Sequence, residues 1–357
     1  MMQKYNTCRF FLINSKFEEK RLTKTDISTV FIINNKNNNK RKNMNKLKKI
    51  GLTALAASLV STSVFAGTMD ATGSASIYFT GGDKVATGNG WSMNDSITFT
   101  GGGEMDNGWT VTAKFLLDNS DGAGSQIFDN RSIAINMNEA GTMTFWGNSG
   151  DGVVTATDDK LPNMYEESWY GAGSPGSGAA SSNMFHYSNS ALVDGVNFQA
   201  SYVPSNGGTD VLSSTDFGIT YTGMEGLTVG FAAGEDSGAG ATSSVDNKNM
   251  WATYAYGPMT FGYQSNSSDS KVSLGDKDYK GMVITYTVSE ELAVSYGTSE
   301  IDYESSGFDQ ESVSVGASYT MGSMSLSGVY NSHDNISGGK TSLDDRNVYE
   351  LGLSFAF

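Results

Sequence analysis

Few residues in this sequence have the types and the spacing that enzyme chemistry requires. The two histidines, His186 and His333, are far apart, and no serine lies in a G-x-S-x-G motif. The sequence contains no H-E-x-x-H zinc motif and no glycine-rich phosphate loop. Its single cysteine is Cys8. We therefore expect a protein that is not an enzyme, with no catalytic residues, no metal site and no cofactor.

A group of carboxylates in one long segment, 148–182, could instead act on a passing ion or solute. The segment contains one base, Lys160, and five acids. Rings of acids in a narrow passage favour cations. The segment also contains Tyr165, Trp169 and Tyr170, which indicate that it packs against other parts of the protein. The acids, which form the candidate constriction, are Asp151, Asp158, Asp159, Glu166 and Glu167.

The scaffold for these residues is a series of strands. Strands of about ten residues with alternating apolar and polar side chains recur from residue 67 onward. No run of about 18 apolar residues occurs there, which excludes a membrane-spanning helix. Seven short, turn-rich links alternate with eight long, polar links, and these fifteen links require sixteen strands. The short links are Asp106–Gly108, Asn138–Gly141, Ser190–Gly195, Gly223–Gly226, Gly257–Pro258, Ser289–Glu291 and Gly322–Ser323, and the long links are 80–90, 119–127, 148–182, 204–214, 235–247, 265–278, 301–309 and 333–345.

An even number of antiparallel strands, with short turns at one end and long loops at the other, is typical of bacterial outer-membrane barrels. We therefore expect an all-β fold, a sixteen-stranded antiparallel transmembrane β-barrel with the long third loop folded into the lumen. The competing interpretation is a secreted β-sandwich or solenoid with the same alternation. One strand fits poorly, because Asp95 shares the outward face of Met93 and Ile97 and needs a bulge or a face covered by protein.

The last strand, Tyr349–Phe357, carries aromatic and aliphatic residues on one face and small or polar residues on the other. An aromatic carboxyl terminus preceded by apolar residues at every second position resembles the assembly signal of bacterial outer-membrane barrels. We expect this face to contact lipid and the signal to be recognised by the barrel-assembly machinery. The residues that would form the signal are Tyr349, Leu351, Leu353, Phe355 and Phe357.

The amino-terminal part of the chain has a different composition. Residues 1–43 contain Lys and Arg clusters and an Asn-rich run, and we expect them to be disordered or untranslated, with Met44 as the initiator. Residues 44–66 have the basic start, short apolar run and small or aliphatic cleavage-site residues, Val64 and Ala66, of a secretory signal peptide. Cleavage after Ala66 leaves 10 Lys and Arg against 35 Asp and Glu, a net charge near −25. Such acidity argues against a nucleic-acid partner.

Taken together, the signal peptide, the sixteen predicted strands, the terminal Phe357 and the outsized third loop resemble a general diffusion porin of Gram-negative bacterial outer membranes, over residues 67–357. The resemblance implies a homotrimer of water-filled pores, each narrowed by a third loop whose acids face basic residues on the opposite wall of the lumen. The loop segment Leu161–Glu167 matches no family consensus. The alternation of side chains along the strands places Lys114 and Arg346 on the inner face, and these two are the candidate bases of the opposite wall. Arg131, Lys248 and Lys280 fall on the outer face.

These features indicate passive diffusion of small hydrophilic solutes and ions, with a preference for cations. Two alternatives stay open: a channel selective for one nutrient, such as a sugar or an amino acid, and a surface or adhesive β-protein that is not a channel. An outer-membrane hydrolase is a third. Expected partners are outer-membrane lipid and lipopolysaccharide. The loop segment Asn206–Asp210 could hold Ca²⁺ through oxygen ligands, although solvated acids are the simpler interpretation.

Overall fold

The structure is a computed structural model, and it describes residues 69–83, 90–118, 128–175, 178, 180–205, 212–237, 243–339 and 344–357. The expected extension 1–43, the signal peptide 44–66 and a mature amino terminus at Gly67 lie outside the described residues. The candidate Ca²⁺ segment Asn206–Asp210 lies outside them as well. These expectations stay predictions.

The described chain forms a closed antiparallel barrel of sixteen strands, and the all-β prediction is confirmed. Each strand pairs with its neighbours in chain order, and the last strand pairs with the first. A separate pair of two-residue strands, β6 and β7, lies within the third loop. The strands are β1 (Met69–Gly82), β2 (Trp91–Glu104), β3 (Thr110–Asp118), β4 (Asn130–Asn136), β5 (Thr142–Asn148), β6 (Gly150–Asp151), β7 (Ala180–Ser181), β8 (Met184–Val193), β9 (Val196–Val203), β10 (Ser214–Met224), β11 (Leu227–Asp236), β12 (Val245–Tyr256), β13 (Met259–Ser270), β14 (Lys277–Thr287), β15 (Leu292–Tyr303), β16 (Gln310–Met321), β17 (Met324–Asp334) and β18 (Arg346–Ala356).

Several strands run further into the links than the sequence predicts. The link predicted over 265–278 is shorter, because β13 continues to Ser270 and β14 begins at Lys277. The short link predicted from Ser190 begins later, because β8 continues to Val193. Backbone pairing explains the difference at β13: Ser270 pairs with Val245 although its polar side chain is typical of a loop.

The barrel has an apolar outer face and a polar inner face, as expected for lipid outside and water inside. On β18, for example, Leu351 and Phe355 are exposed on the outer face, whereas Glu350 is buried on the inner face. The candidate assembly-signal residues therefore lie outside. Phe357 exchanges backbone hydrogen bonds of 2.8 and 2.9 Å with Gly73, beside the seam where β18 meets β1.

Asp95 lies on the outer face of β2 in a regular strand. The pairing of β2 with β1 is unbroken from Trp91 to Gly101, and its pairing with β3 is unbroken from Ser96 to Glu104. The bulge that would turn Asp95 away from the outer face is therefore absent from these strands. A face covered by protein stays a prediction.

Buried residues concentrate where the third loop meets the inner face of the barrel. One apolar cluster contains Val153, Val154 and Trp251, and another is built around Leu161 and Tyr279. No helix in the described part of the chain has the length and the hydropathy needed to span a membrane.

Candidate functional site

The third loop, residues 149–183, lies against the inner face of the barrel. Its described residues are hydrogen-bonded to side chains of β9, β10, β12, β13 and β15–β18, all on the polar face of those strands. A loop that contacts one face of so many neighbouring strands of a closed barrel lies inside that barrel. It covers the wall from β9 to β18 and leaves the wall from β2 to β5 facing it.

The first part of the loop is held by backbone donors. The amide of Val153 donates to Oγ of Ser201 at 3.1 Å, and the amide of Val154 donates to Oδ2 of Asp216 at 3.3 Å. Ser201 also donates to Asp216 at 3.1 Å. Both valine side chains pack against Trp251. Apolar burial and hydrogen bonds to a buried acid therefore fix the point where the loop turns into the barrel.

Two amide side chains of β13 hold the next part of the loop. Nε2 of Gln264 donates to the carbonyl oxygens of Thr157 at 3.0 Å and Asp158 at 2.7 Å, and its Oε1 accepts from the amide of Lys160 at 2.6 Å. Nδ2 of Asn266 donates to the Asp158 carbonyl at 2.8 Å. Gln264 thus pairs with the loop backbone much as a neighbouring strand would, and it is fully buried.

The middle of the loop packs against glycines of the wall. A Cβ on Gly262 would lie 2.3 Å from Cδ of Pro162, and one on Gly281 would lie 2.7 Å from Cδ1 of Leu161. These contacts are shorter than any side chain tolerates, so the loop approaches the wall closely only because both positions are glycine. Around Leu161 an apolar cluster forms from Trp169, Tyr279, Val283, Ile301 and Tyr303.

A buried carboxylate of the last strand anchors the far end of the loop. Glu350 is 4 % exposed. Its Oε1 accepts from the Tyr165 hydroxyl at 2.8 Å, and its Oε2 accepts from the Tyr170 hydroxyl and, at 2.6 Å, from Oγ1 of Thr80 on β1. In the described chain no base contacts this carboxylate, so three hydroxyl donors take the place of a salt bridge.

His333 and Asn331 of β17 hold the same end of the loop. Nε2 of His333 lies 2.9 Å from the Tyr170 carbonyl oxygen, and its Nδ1 lies 2.9 Å from Oγ of Ser312. Because a carbonyl only accepts, Nε2 carries the hydrogen, and in the neutral ring Nδ1 accepts from the Ser312 hydroxyl. Nδ2 of Asn331 donates to the carbonyl oxygens of Glu167 at 2.8 Å and Tyr170 at 3.1 Å.

The candidate acids occupy the loop between these anchors, and three of them have raised pKa values. Loss of hydration inside the barrel raises the pKa of Asp158 to about 6, and it raises that of Glu166 to about 7 with help from the charges of Glu167 and Glu350. Burial and a hydrogen bond with Glu167 raise the pKa of Asp159. Asp151 lies apart, exposed on β6 at the base of the loop. Asp158 and Glu166 therefore change charge in the neutral pH range.

The predicted bases occupy two different walls. Lys114 is exposed on the inner face of β3, across the lumen from the loop. Arg346 lies on β18, the strand that also carries Glu350, so it shares the wall on which the loop packs and is not opposite to it. A third inward base, Lys277, begins β14, with Nζ 5.7 Å from the ring centre of Tyr303. The sequence missed it because the predicted link included residue 277.

Sequence reasoning also missed the side chains that dock the loop. Gln264, Asn331 and Glu350 all have inward parity, but a large polar residue on an inner face is expected to contact water. The loop sequence carried the signal that could have revealed this docking, because the hydroxyl groups of packed tyrosines need hydrogen-bond acceptors. An inward carboxylate such as Glu350 is the natural acceptor.

A polar cavity of about 390 Å³ lies between the loop and the wall formed by β1, β2 and β18. Its lining includes Glu166 of the loop and Tyr78 and Asn94 of the wall. The inner face of β2–β5 carries hydroxyl residues such as Thr98 and Thr112, and Lys114 is its single base in the described chain. Among the described residues no cluster of His, Cys, Asp and Glu could hold a metal ion. The site can sort solutes by size and charge.

Comparisons with known proteins agree with this architecture. The family model described as Gram-negative porin matches residues 51–335. No curated protein sequence matches the chain.

Solved structures with the same fold have little sequence in common with the chain. The anion-selective porin from Comamonas acidovorans is 13 % identical with a TM-score of 0.61, covering 82 % of this chain and 100 % of its own. OmpF of Salmonella typhi, in complex with daunomycin, is 14 % identical with a TM-score of 0.62, covering 82 % and 98 %. The trimer form of OmpT of Vibrio cholerae is 14 % identical with a TM-score of 0.59, covering 82 % and 100 %.

Proposed function

Because the chain belongs to the Gram-negative porin family and its barrel lies in the outer membrane, we propose that it is a channel for the passive diffusion of small hydrophilic solutes, with a preference for cations. A sixteen-stranded barrel is wide enough for an aqueous pore. In this proposal the third loop narrows that pore, and the acids Asp158, Asp159, Glu166 and Glu167 act as its charge filter.

The observation that carries the cation preference is the imbalance of charge across the passage. Four carboxylates lie on the docked loop with Lys160, whereas the facing inner surface of β2–β5 offers Lys114 as its base in the described chain. Charges in a narrow passage interact strongly, since a unit pair at about 4 Å is worth about 1 kcal/mol in water but about 4 kcal/mol at an effective dielectric near 20. The anion selectivity of the Comamonas porin is a property of that protein, because a likeness at 13 % identity shows the fold alone.

We propose a homotrimer as the assembled form, which is supported by the trimer form of OmpT of Vibrio cholerae. In the same proposal, the signal peptide 44–66 directs export of the chain. The assembly machinery then recognises the outward-facing apolar residues of the last strand, which end at Phe357. The apolar outer face fits outer-membrane lipid and lipopolysaccharide as its surroundings.

Reconstitution into a planar lipid bilayer tests the proposed function. We expect stepwise increases in current, and swelling of protein-containing liposomes in solutions of small neutral and cationic solutes. A current that one nutrient blocks saturably at low concentration would favour the nutrient-selective channel. Absence of current steps from folded protein would contradict any channel function and favour the surface-protein alternative.

A further inference from the structure

Glu166 is the loop acid that lines the polar cavity between the third loop and the wall of β1, β2 and β18. Its carboxylate is half-buried, and within the described chain it makes no hydrogen bond and no ion pair. Glu350, the second carboxylate of the cavity, differs because three hydroxyls donate to it. Burial and the charges of Glu167 and Glu350 raise the pKa of Glu166 to about 7. The ionised Glu166 therefore lacks a neutralising partner in this part of the protein.

No basic residue is among the described residues that line this cavity. On β18, Arg346 lies four residues from Glu350, which is about 13 Å along the strand. On the other side, Lys114 of β3 pairs with Thr100 of β2. Thr100 lies six residues from Asn94 of the cavity wall, which is about 20 Å along β2. A cation that neutralises the free carboxylate therefore has to come from the solution.

The wall of the cavity carries neutral hydrogen-bonding groups in a row. Ser76 of β1 pairs with Asn94 of β2 on one side and with Ser354 of β18 on the other. The three side chains therefore lie at one level of the inner face, and Asn94 is exposed to the lumen. Hydroxyl and amide groups both donate and accept hydrogen bonds. This polar row can therefore pair with the hydroxyl groups of a solute.

Two tyrosines form an aromatic side of the cavity. Tyr78 of β1 pairs with Gly352 of β18, and a Cβ on Gly352 would collide with the hydroxyl of Tyr165. Glycine at this position therefore lets the loop tyrosine lie next to the wall at the level of Tyr78. The hydrogen bond from Tyr165 to Glu350 fixes its ring there. The face of an aromatic ring attracts an organic ammonium group, so the two rings favour a cationic solute.

We propose that this cavity is a binding site for hydroxylated primary amines, with the ammonium group at Glu166 and the hydroxyl groups on the row of Ser76, Asn94 and Ser354. The inference rests on the channel function proposed above, and it names a class of solute that the passage retains. The cavity volume of about 390 Å³ is in the range of small-molecule sites.

The other classes of solute match only part of this site. An inorganic cation would pair with Glu166 without using the polar row, and a neutral polyol would bind the row and leave the carboxylate unpaired. An anionic solute would meet two carboxylates and no base among the described lining residues. Because conduction requires that a bound solute also leaves, we expect binding in the millimolar range.

Three open-chain six-carbon solutes that differ at one carbon test the site. Glucamine carries an ammonium group at that carbon, sorbitol a hydroxyl and gluconate a carboxylate. An alkyl ammonium group keeps its proton at about pH 8, where Glu166 is ionised, so the solutes are added to the full channel in a planar bilayer at that pH. Glucamine should reduce the single-channel current saturably, and sorbitol and gluconate should not. Methylamine, which has no hydroxyl group, should bind more weakly than glucamine, and equal binding would overturn the role of the polar row.

Substitutions separate this site from a general attraction of cations by the loop. Glu166→Gln should raise the half-blocking concentration of glucamine by about tenfold or more, because it removes a bond to a charged group. Asn94→Ala should raise it by a smaller factor, and Tyr78→Leu should raise it more than Tyr78→Phe, which keeps the ring. Glu167→Gln is the matched comparison, because Glu167 is adjacent in the chain and is not among the lining residues. Its effect should be smaller than that of Glu166→Gln.

The outcomes distinguish this inference from the channel function on which it rests. Equal weakening by Glu166→Gln and Glu167→Gln would overturn the site, because the loop charge as a whole would then attract the amine. A conducting wild type whose current glucamine does not reduce saturably would overturn the site and leave the channel function standing. Folded wild-type protein that gives no current steps would overturn the channel function itself.

Discussion

The hydroxyl of Tyr165 donates a 2.8 Å hydrogen bond to Oε1 of Glu350, which joins the middle of the third loop to the last strand of the barrel. Thr80 of β1 donates to the other oxygen of the same carboxylate. Glu350 thus bonds to the loop and across the β1–β18 closure at once. Docking of the loop and closure of the barrel are therefore coupled through one buried side chain.

Removing the hydroxyls that contact Glu350 should loosen the loop. A hydrogen bond to a charged group contributes about 1.5–3 kcal/mol, so Tyr165→Phe should lower the free energy of unfolding by about that amount and Tyr165→Phe with Tyr170→Phe by more. The temperature at which the folded band disappears on gels should fall, and the single-channel current should become noisier. Tyr78→Phe is the control, because Tyr78 lines the same cavity without bonding to Glu350. If all three variants had the same thermal stability and current noise, the hydrogen bonds to Glu350 would not anchor the loop.

Adding a single methyl group to the wall should displace the loop. In Gly262→Ala the new Cβ would overlap Pro162, and overpacking of this kind costs about 1–3 kcal/mol. We expect lower thermal stability and an altered conductance. Gly307→Ala is the matched control, because a Cβ at that position meets open space. A Gly262→Ala variant with native stability and conductance would show that the loop does not pack on β13 in the membrane.

The cation preference should decrease as the solution becomes more acidic. The pKa values of Asp158 and Glu166 are raised to about 6 and about 7, so both carboxylates lose charge between about pH 8 and about pH 5, where an unperturbed acid stays ionised. Reversal potentials measured in a salt gradient over this range should move towards zero on acidification. The variant with Asp158→Asn, Asp159→Asn, Glu166→Gln and Glu167→Gln should show little pH dependence. A wild-type preference that is constant across this range would contradict the raised pKa values.

The same groups should make the folded protein more stable at mildly acidic pH than at alkaline pH. Their pKa values are raised on folding, from 3.8 for Asp158 and 4.5 for Glu166, so the folded state holds protons that the unfolded state has released. Stability therefore falls as pH rises from about 4.5 to about 7. Thermal midpoints of the wild type should decrease over this interval, and those of the four-acid variant should change less. The opposite slope in the wild type would be inconsistent with buried acids in the loop.

The strand count and the position of the outsized loop were predictable because they depend on local features. Side-chain alternation and link length are both encoded in neighbouring residues, as in the alternation from Tyr349 to Phe357. Strand ends were less predictable: Ser270 and Lys277 are polar, but backbone pairing extends the ladder through them.

The alternation of inward and outward side chains along the strands does not predict that the loop docks on the wall. Parity places Gln264 and Glu350 on the inner face but cannot say whether water or protein lies against them. That depends on contacts between residues far apart in the chain, such as Lys160 with Gln264. Parity also placed Arg346 inside the barrel without distinguishing the wall that carries the loop from the wall that faces it.

The central claim is that the acids of the docked loop determine which ions pass. The reversal potential in a KCl gradient at about pH 8, where Asp158 and Glu166 are ionised, tests it most directly. The wild type should prefer K⁺, the four-acid loop variant should shift the potential towards zero, and Lys114→Ala should shift it the other way. A matched variant, with Asp302→Asn, Glu304→Gln, Asp309→Asn and Asp334→Asn, should change it little, because charges outside the passage are screened within about 8 Å. An anion preference in the wild type, or equal shifts in the two four-acid variants, would contradict the claim.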